Sequence, residues 1–126
     1  MIFTSQNKSA LQEFLVGSSV HDAYYEKFSY KWGDKQLFVS LYNFINNKKI
    51  DMIFDEISIL ITTSLDIWGT NNALLSLTVE DDASPIQSFL EKINSDNKSF
   101  CNNLYVVFQN FSGNEMHIIC EKIYIS

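Results

Sequence analysis

Two stretches of the chain repeat apolar residues at helical spacing, and most of the remainder alternates at the two-residue period of a strand. Leu11, Phe14 and Leu15 fall on one face of a helix predicted over Ser9 to Val16. Ser9 and Gln12 have capping-box spacing, and Gly17 offers a left-handed stop. The second stretch carries more signals. Ser84 suits an N-cap, Pro85 the first helical position, and Gln87 completes the box. Ile86, Phe89, Leu90 and Ile93 then make a single apolar stripe, which Asn94 to Asn97 ends.

Strand patterning begins at Tyr24. Tyr24, Phe28, Tyr30 and Trp32 share one predicted face, and Tyr25, Lys27, Ser29 and Lys31 the other. Gly33-Asp34 turns the chain, and Leu37, Val39 and Leu41 line the returning strand. Its opposite face, with Phe38, Tyr42 and Phe44, is apolar too, so coverage on both sides is expected. Asn46 to Lys49 breaks that strand, and Met52 to Leu65 reads as a third strand or a bent pair. Leu75, Leu77 and Val79 alternate in a fourth, and Leu104 to Phe111 and Met116 to Ile125 flank a Ser112-Gly113-Asn114 hairpin. The expected fold is α+β: mainly antiparallel β, a sheet or sandwich of about six strands, with an N-terminal helix and one late helix packed on it. The 126 residues fit a single domain spanning 1–126.

Composition narrows the function. Hydrophobic residues are 46% and charged residues 19%, a globular balance. Ten phenylalanines, six tyrosines and two tryptophans supply core volume without a disulfide or structural metal. The formal net charge is −6, and all nine basic residues are lysines. Without arginine and with a net-negative surface, nucleic acid and anionic membranes are poor partners, whereas a basic protein is a natural one. No run approaches the roughly 20 apolar residues that span a bilayer, and the first residues lack the pattern of a secretory leader. A cytoplasmic location is expected, and Cys101 and Cys120 are then read as ordinary thiols.

Little of the sequence marks a reaction. His21-Asp22 could orient an imidazole for acid–base work, or simply shape the turn before the first long strand. His117 and Cys120 are spaced so that a strand points them to opposite faces, which is poor geometry for one zinc. No phosphate loop, nucleophile elbow or zincin motif occurs, and no cofactor is expected. Two acidic groups remain: Glu80, Asp81 and Asp82 before the second helix, and Asp51, Asp55 and Glu56 around the third strand. Asp81 and Asp82 can serve the dipole of the helix beginning at Ser84, and either group can guard a sheet edge or form a landing zone for a cationic partner. Trp68, beside Gly69 and Thr70-Asn71-Asn72, is either an interface anchor or a plug at the end of the core.

The run Gly17 to Ala23, the aromatic strand after it and Leu37 to Leu41 resemble the opening of small bacterial immunity proteins of polymorphic-toxin and contact-dependent growth inhibition systems. The resemblance continues in Ile53 to Ile57, in Trp68-Gly69 and in Asn110 to Gly113 with Ile118 to Ile125. It implies a non-enzymatic antitoxin, a monomer or weak homodimer, that occludes the active site of a cognate toxin domain, often a basic nuclease. A competing expectation is a small ligand-binding or enzymatic domain with an aromatic cleft of Tyr24, Phe28 and Trp32 near His21. A third is a homo-oligomer pairing through Ile118 to Ile125.

Overall fold

In a computed structural model the described residues are 1–17, 20, 23–62, 74–81, 86, 103–110 and 115–126. They form one antiparallel sheet. β1 (Ile2–Phe3) leads into a short 3-10 turn at Ser5–Asn7 and helix α1 (Lys8–Gly17). β2 (Tyr24–Lys31), β3 (Gln36–Asn43) and β4 (Lys48–Thr62) follow, then β5 (Leu74–Glu80), β6 (Leu104–Asn110) and β7 (Glu115–Ile125). The order across the sheet is β2-β3-β4-β7-β6-β5, with β1 paired to β7 beside the end that β6 leaves free. The seven strands exceed the expected number by β1, whose two residues are too few to show a period. The late helix expected from Ser84 lies outside the described residues except for Ile86, which is buried against Tyr105, Val107 and Ile119.

Helix α1 starts earlier than its sequence pattern implies. The capping box is built by Thr4 and Asn7 ahead of the 3-10 turn, and not by Ser9 and Gln12. Thr4 Oγ1 accepts from the Gln6 amide at 3.2 Å, and the Thr4 amide donates to Asn7 Oδ1 at 2.6 Å. Gln12 is thereby free to reach the edge of the sheet, where its amide donates to the Val79 carbonyl at 3.5 Å. Leu11 is buried on the apolar face, as the spacing predicts, with Phe14 and Leu15 packed against the core. Gly17 is the last helical residue.

Two hairpins of the same design join β2, β3 and β4. Each has a four-residue turn, Trp32 to Lys35 and Phe44 to Asn47, and its last residue carries a positive φ, 51° at Lys35 and 55° at Asn47. The left-handed residue is thus Lys35, not Gly33; asparagine suits that conformation better than lysine does. Asn43 supports the second turn by accepting from the Ile45 amide at 2.9 Å.

The inner face of the sheet carries the main core: Leu37, Val39, Leu41, Met52, Phe54, Leu104, Phe108 and Ile118 among others. The register departs from simple alternation in β2, β4 and β7, and again in β5 between Leu74 and Ser76. In β2 the pairing jumps between Tyr25↔Leu41 and Lys27↔Ser40, so Glu26 is the extra residue of a bulge. Tyr25, and not Tyr24, therefore joins Phe28 and Tyr30 on the core face. In β4, Glu56 has φ 54° and Ser58 is a second bulged residue, so Ile57 and Leu60 stay with the main core while Ile59 and Ile61 turn to the outer side. Strand β7 changes phase opposite them, with Ile123 and Ile125 inward below exposed Glu121 and Lys122, and Met116, Ile118 and Cys120 inward above. Met52 to Leu65 is accordingly one bent strand as far as it is described. β7 lies in the sheet interior, bonded on both sides, with Ile118, Ile119 and Ile123 buried. It has no free edge for the pairing between copies that the sequence suggested.

Candidate protein-binding face

The outer face over β1, β7, β4, β3 and β2 is built from residues that alternate with the core. Five of them form a row of direct cross-strand neighbours: Ser29, Phe38, Ile53, Tyr124 and Ile2. Inward neighbours Val39, Met52 and Phe54 are buried, which fixes the outward direction of this row. Ile2 and Ile53 are 58% and 36% exposed, and Phe38 and Tyr124 are half-buried. Among the described residues nothing supplies the expected second cover on the outer side of β3, and Phe44 stands 66% exposed beyond it. Paired apolar side chains on neighbouring strands partly shield one another, so a row like this survives in water without a covering layer.

Charged rows flank the apolar one. On one side, Lys27 pairs with Ser40 and Ser40 with Asp51. Ser40 donates to Asp51 Oδ1 at 2.7 Å and lies 3.4 Å from Glu26 Oε2, and Lys49 approaches the same Glu26 oxygen at 3.7 Å. Lys27 also stands over the Phe38 ring, 5.7 Å from its centroid. On the other side, Lys31 pairs with Gln36 and Asp55 with Lys122, and Gln36 donates to Asp55 at 3.0 Å to join the two pairs. Two shallow hollows of about 280 and 270 Å³ lie along the row. Lys27, Lys31, Phe38 and Ile53 line the first, and Met1, Ile2, Asp51 and Tyr124 the second.

The two predicted acidic groups do not converge. Asp51 and Asp55 lie on the outer face of β4, with Glu56 exposed at its kink. A hollow of about 560 Å³ lined by Asp34, Lys35, Gln36, Asp55 and Glu56 opens there. Glu80 ends β5 and Asp81 follows it, three strands away, which at normal strand spacing is about 14 Å. Asp81 is ion-paired with Lys8 of α1 and so serves the helix–edge junction, and Glu80 accepts from Thr78 of its own strand at 3.0 Å. Asp82 and Trp68 lie outside the described residues, as do His21, Asp22 and Cys101.

The residues of the expected aromatic cleft are dispersed. Tyr24 is on the outer face, Phe28 is in the core, and Trp32 sits in the turn at the far end of β2 against Tyr30, with ring centroids 4.8 Å apart. The bulge at Glu26 is the physical reason, because it reverses the faces on either side of it.

His117 and Cys120 face opposite sides of β7, as their spacing implies. Cys120 is buried in the main core; burial, reinforced by the Asp55 charge, pushes its thiol up to about 12. His117 lies in the outer cluster between two partners. The Tyr105 hydroxyl is 2.7 Å from Nδ1, and Glu115 Oε2 is 2.8 Å from Nε2. A carboxylate only accepts, so Nε2 carries a proton, and in the neutral ring Nδ1 accepts from the tyrosine. Sequence reading missed this chain because Tyr105 comes from another strand. It also missed the apolar row, whose members are separated by whole strands; the one local signal was the two-faced apolar pattern of β3. No protein-family model matches the chain, and no curated protein matches it at significant similarity.

Proposed function

We propose that this chain is a non-enzymatic immunity protein, which binds a cognate bacterial toxin domain and neutralises it by covering its active site. The observation that carries this reading is the exposed row Phe38, Ile53, Tyr124 and Ile2, bordered by Asp51 and Asp55. Apolar residues ringed by charge are the usual anatomy of a recognition surface. The −6 charge suits a cationic partner such as a nuclease active site, and Asp51 and Asp55 of β4 are carboxylates that border the row. Inhibition by occlusion needs no reacting group on this chain.

The test is rescue: cells producing the toxin encoded beside this gene survive when the chain is co-produced, and the two proteins co-elute on gel filtration. Ile53→Asp should weaken that complex at least about tenfold. Val16→Asp, on the 89% exposed position of α1, should leave it unchanged. No rescue with both proteins well produced, or equal loss from the two variants, overturns the proposal.

A further inference from the structure

We infer that the hollow at the Tyr24 end of the outer face takes an arginine side chain of the protein partner. This rests on the reading of the outer face as a recognition surface and names the chemistry of one anchor point. Tyr24 and Tyr42 are cross-strand neighbours, and Phe44 follows in the turn after β3. The Phe44 ring meets both at a steep angle: Tyr24 at 5.5 Å and Tyr42 at 4.7 Å between centroids, each with planes 74° apart. Rings so crossed present faces in different directions around a hollow of about 540 Å³. Tyr24, Tyr25, Glu26, Tyr42 and Phe44 are its lining among the described residues.

The charge in that lining selects the ligand. Glu26 is the bulged residue and its carboxylate lines the hollow beside the aromatic group. Among the described residues its nearest cation is Lys49 at a loose 3.7 Å, and Ser40 Oγ lies 3.4 Å from the same oxygen. An apolar ligand would strip water from this carboxylate without replacing it, and an anion would be repelled. A cation gains from both the ring faces and the carboxylate. The guanidinium is favoured over an ammonium because it is flat, weakly hydrated and carries donors in a fork that matches a carboxylate. Lys27 over Phe38 shows that the same face already holds one cation against a ring. The chain has no arginine, so a second copy cannot supply this group.

The experiment titrates the full chain with N-acetyl-Gly-Arg-Gly-amide and with the same peptide carrying citrulline, the neutral isostere, or lysine. The ring resonances of Tyr24, Tyr42 and Phe44 are followed by NMR. The arginine peptide should shift these resonances saturably and bind about two- to fivefold tighter than the citrulline peptide. Glu26→Gln should lower that preference to the part the rings supply, and Phe44→Ala should remove the binding; both positions are exposed, so the fold is kept. Equal affinity for arginine and citrulline, tighter binding of lysine, silent ring resonances, or an unchanged preference in Glu26→Gln overturns the assignment. Rescue from the toxin with silent resonances would remove this anchor and leave the immunity reading standing. Peptide discrimination without rescue would do the reverse.

Discussion

Among the described residues, the sheet is covered on both faces in one half and on its inner face alone in the other. Where β4 and β7 run beside β6, the inner face holds Leu104, Phe108 and Ile118, and the outer face holds Tyr105, Val107 and Ile119 with Ile86 upon them. Where the same two strands run beside β3 and β1, the inner face is equally buried but the outer face shows Ile53, Tyr124 and Ile2 to solvent. The change of regime coincides with the kink at Glu56 and the exposed Glu121 and Lys122. Identical backbone pairing therefore supports two different uses. The doubly covered half packs apolar side chains on both faces, and the other half carries the row proposed above to meet a partner.

The sharpest way to break this comparison is to cut the same kind of side chain on each half. Ile119→Ala, fully buried in the outer cluster, should cost about 2–5 kcal/mol of unfolding free energy. Ile53→Ala, on the open half, should cost less than about 1 kcal/mol. Denaturant unfolding of the two variants decides it, and similar losses would mean that the open half is part of the structural core.

Alkaline titration gives a second contrast, this time between the inner core and everything outside it. Burial raises Tyr25 above its ordinary value and pushes Cys120 up to about 12. Both groups are neutral when protonated, so the folded state holds its protons where the unfolded chain has released them. Stability is therefore fully present below about pH 9 and falls as the pH rises towards 12. Cys120→Ala should flatten this fall, as read from the denaturant midpoint between pH 8 and 11, and an unchanged slope would contradict the burial of the thiol.

The outer cluster is also tested through its polar chain. Tyr105→Phe keeps the ring and takes the hydroxyl from His117 Nδ1, leaving a buried acceptor unpaired, for about 1–3 kcal/mol. The smallest effect belongs to the surface: Asp81→Asn, which breaks the pair with Lys8, should cost about 0.2–1 kcal/mol, less still at high salt. A larger loss would mean that the α1–β5 junction matters more than its exposure implies.

Much of the architecture was readable because its signals are local. Leu11, Phe14 and Leu15 sit within two turns of one another, and Leu37, Val39 and Leu41 alternate without interruption. The two turns contain the Gly33-Asp34 and Asn46-Asn47 pairs that favour them, and β6 and β7 pair antiparallel on either side of 111–114. The faces of β2 were misread because one bulged residue inverts every assignment on one side of it, and nothing about Glu26 in sequence distinguishes it from a paired residue. The landing-zone carboxylates were legible as charges, but their partners were not: Asp81 and Lys8 are 73 positions apart (81 − 8).

What the sequence determined by itself was the material: an antiparallel β domain, acidic, without arginine, with enough aromatic residues to fill a core. Period and turn chemistry act over a few residues, and so they can be read along the chain. Tertiary structure alone decided which side of each strand faces in, where the second cover stops, and which residues from five strands make one row. Those outcomes depend on register between distant segments, where a shift of one residue exchanges buried for exposed.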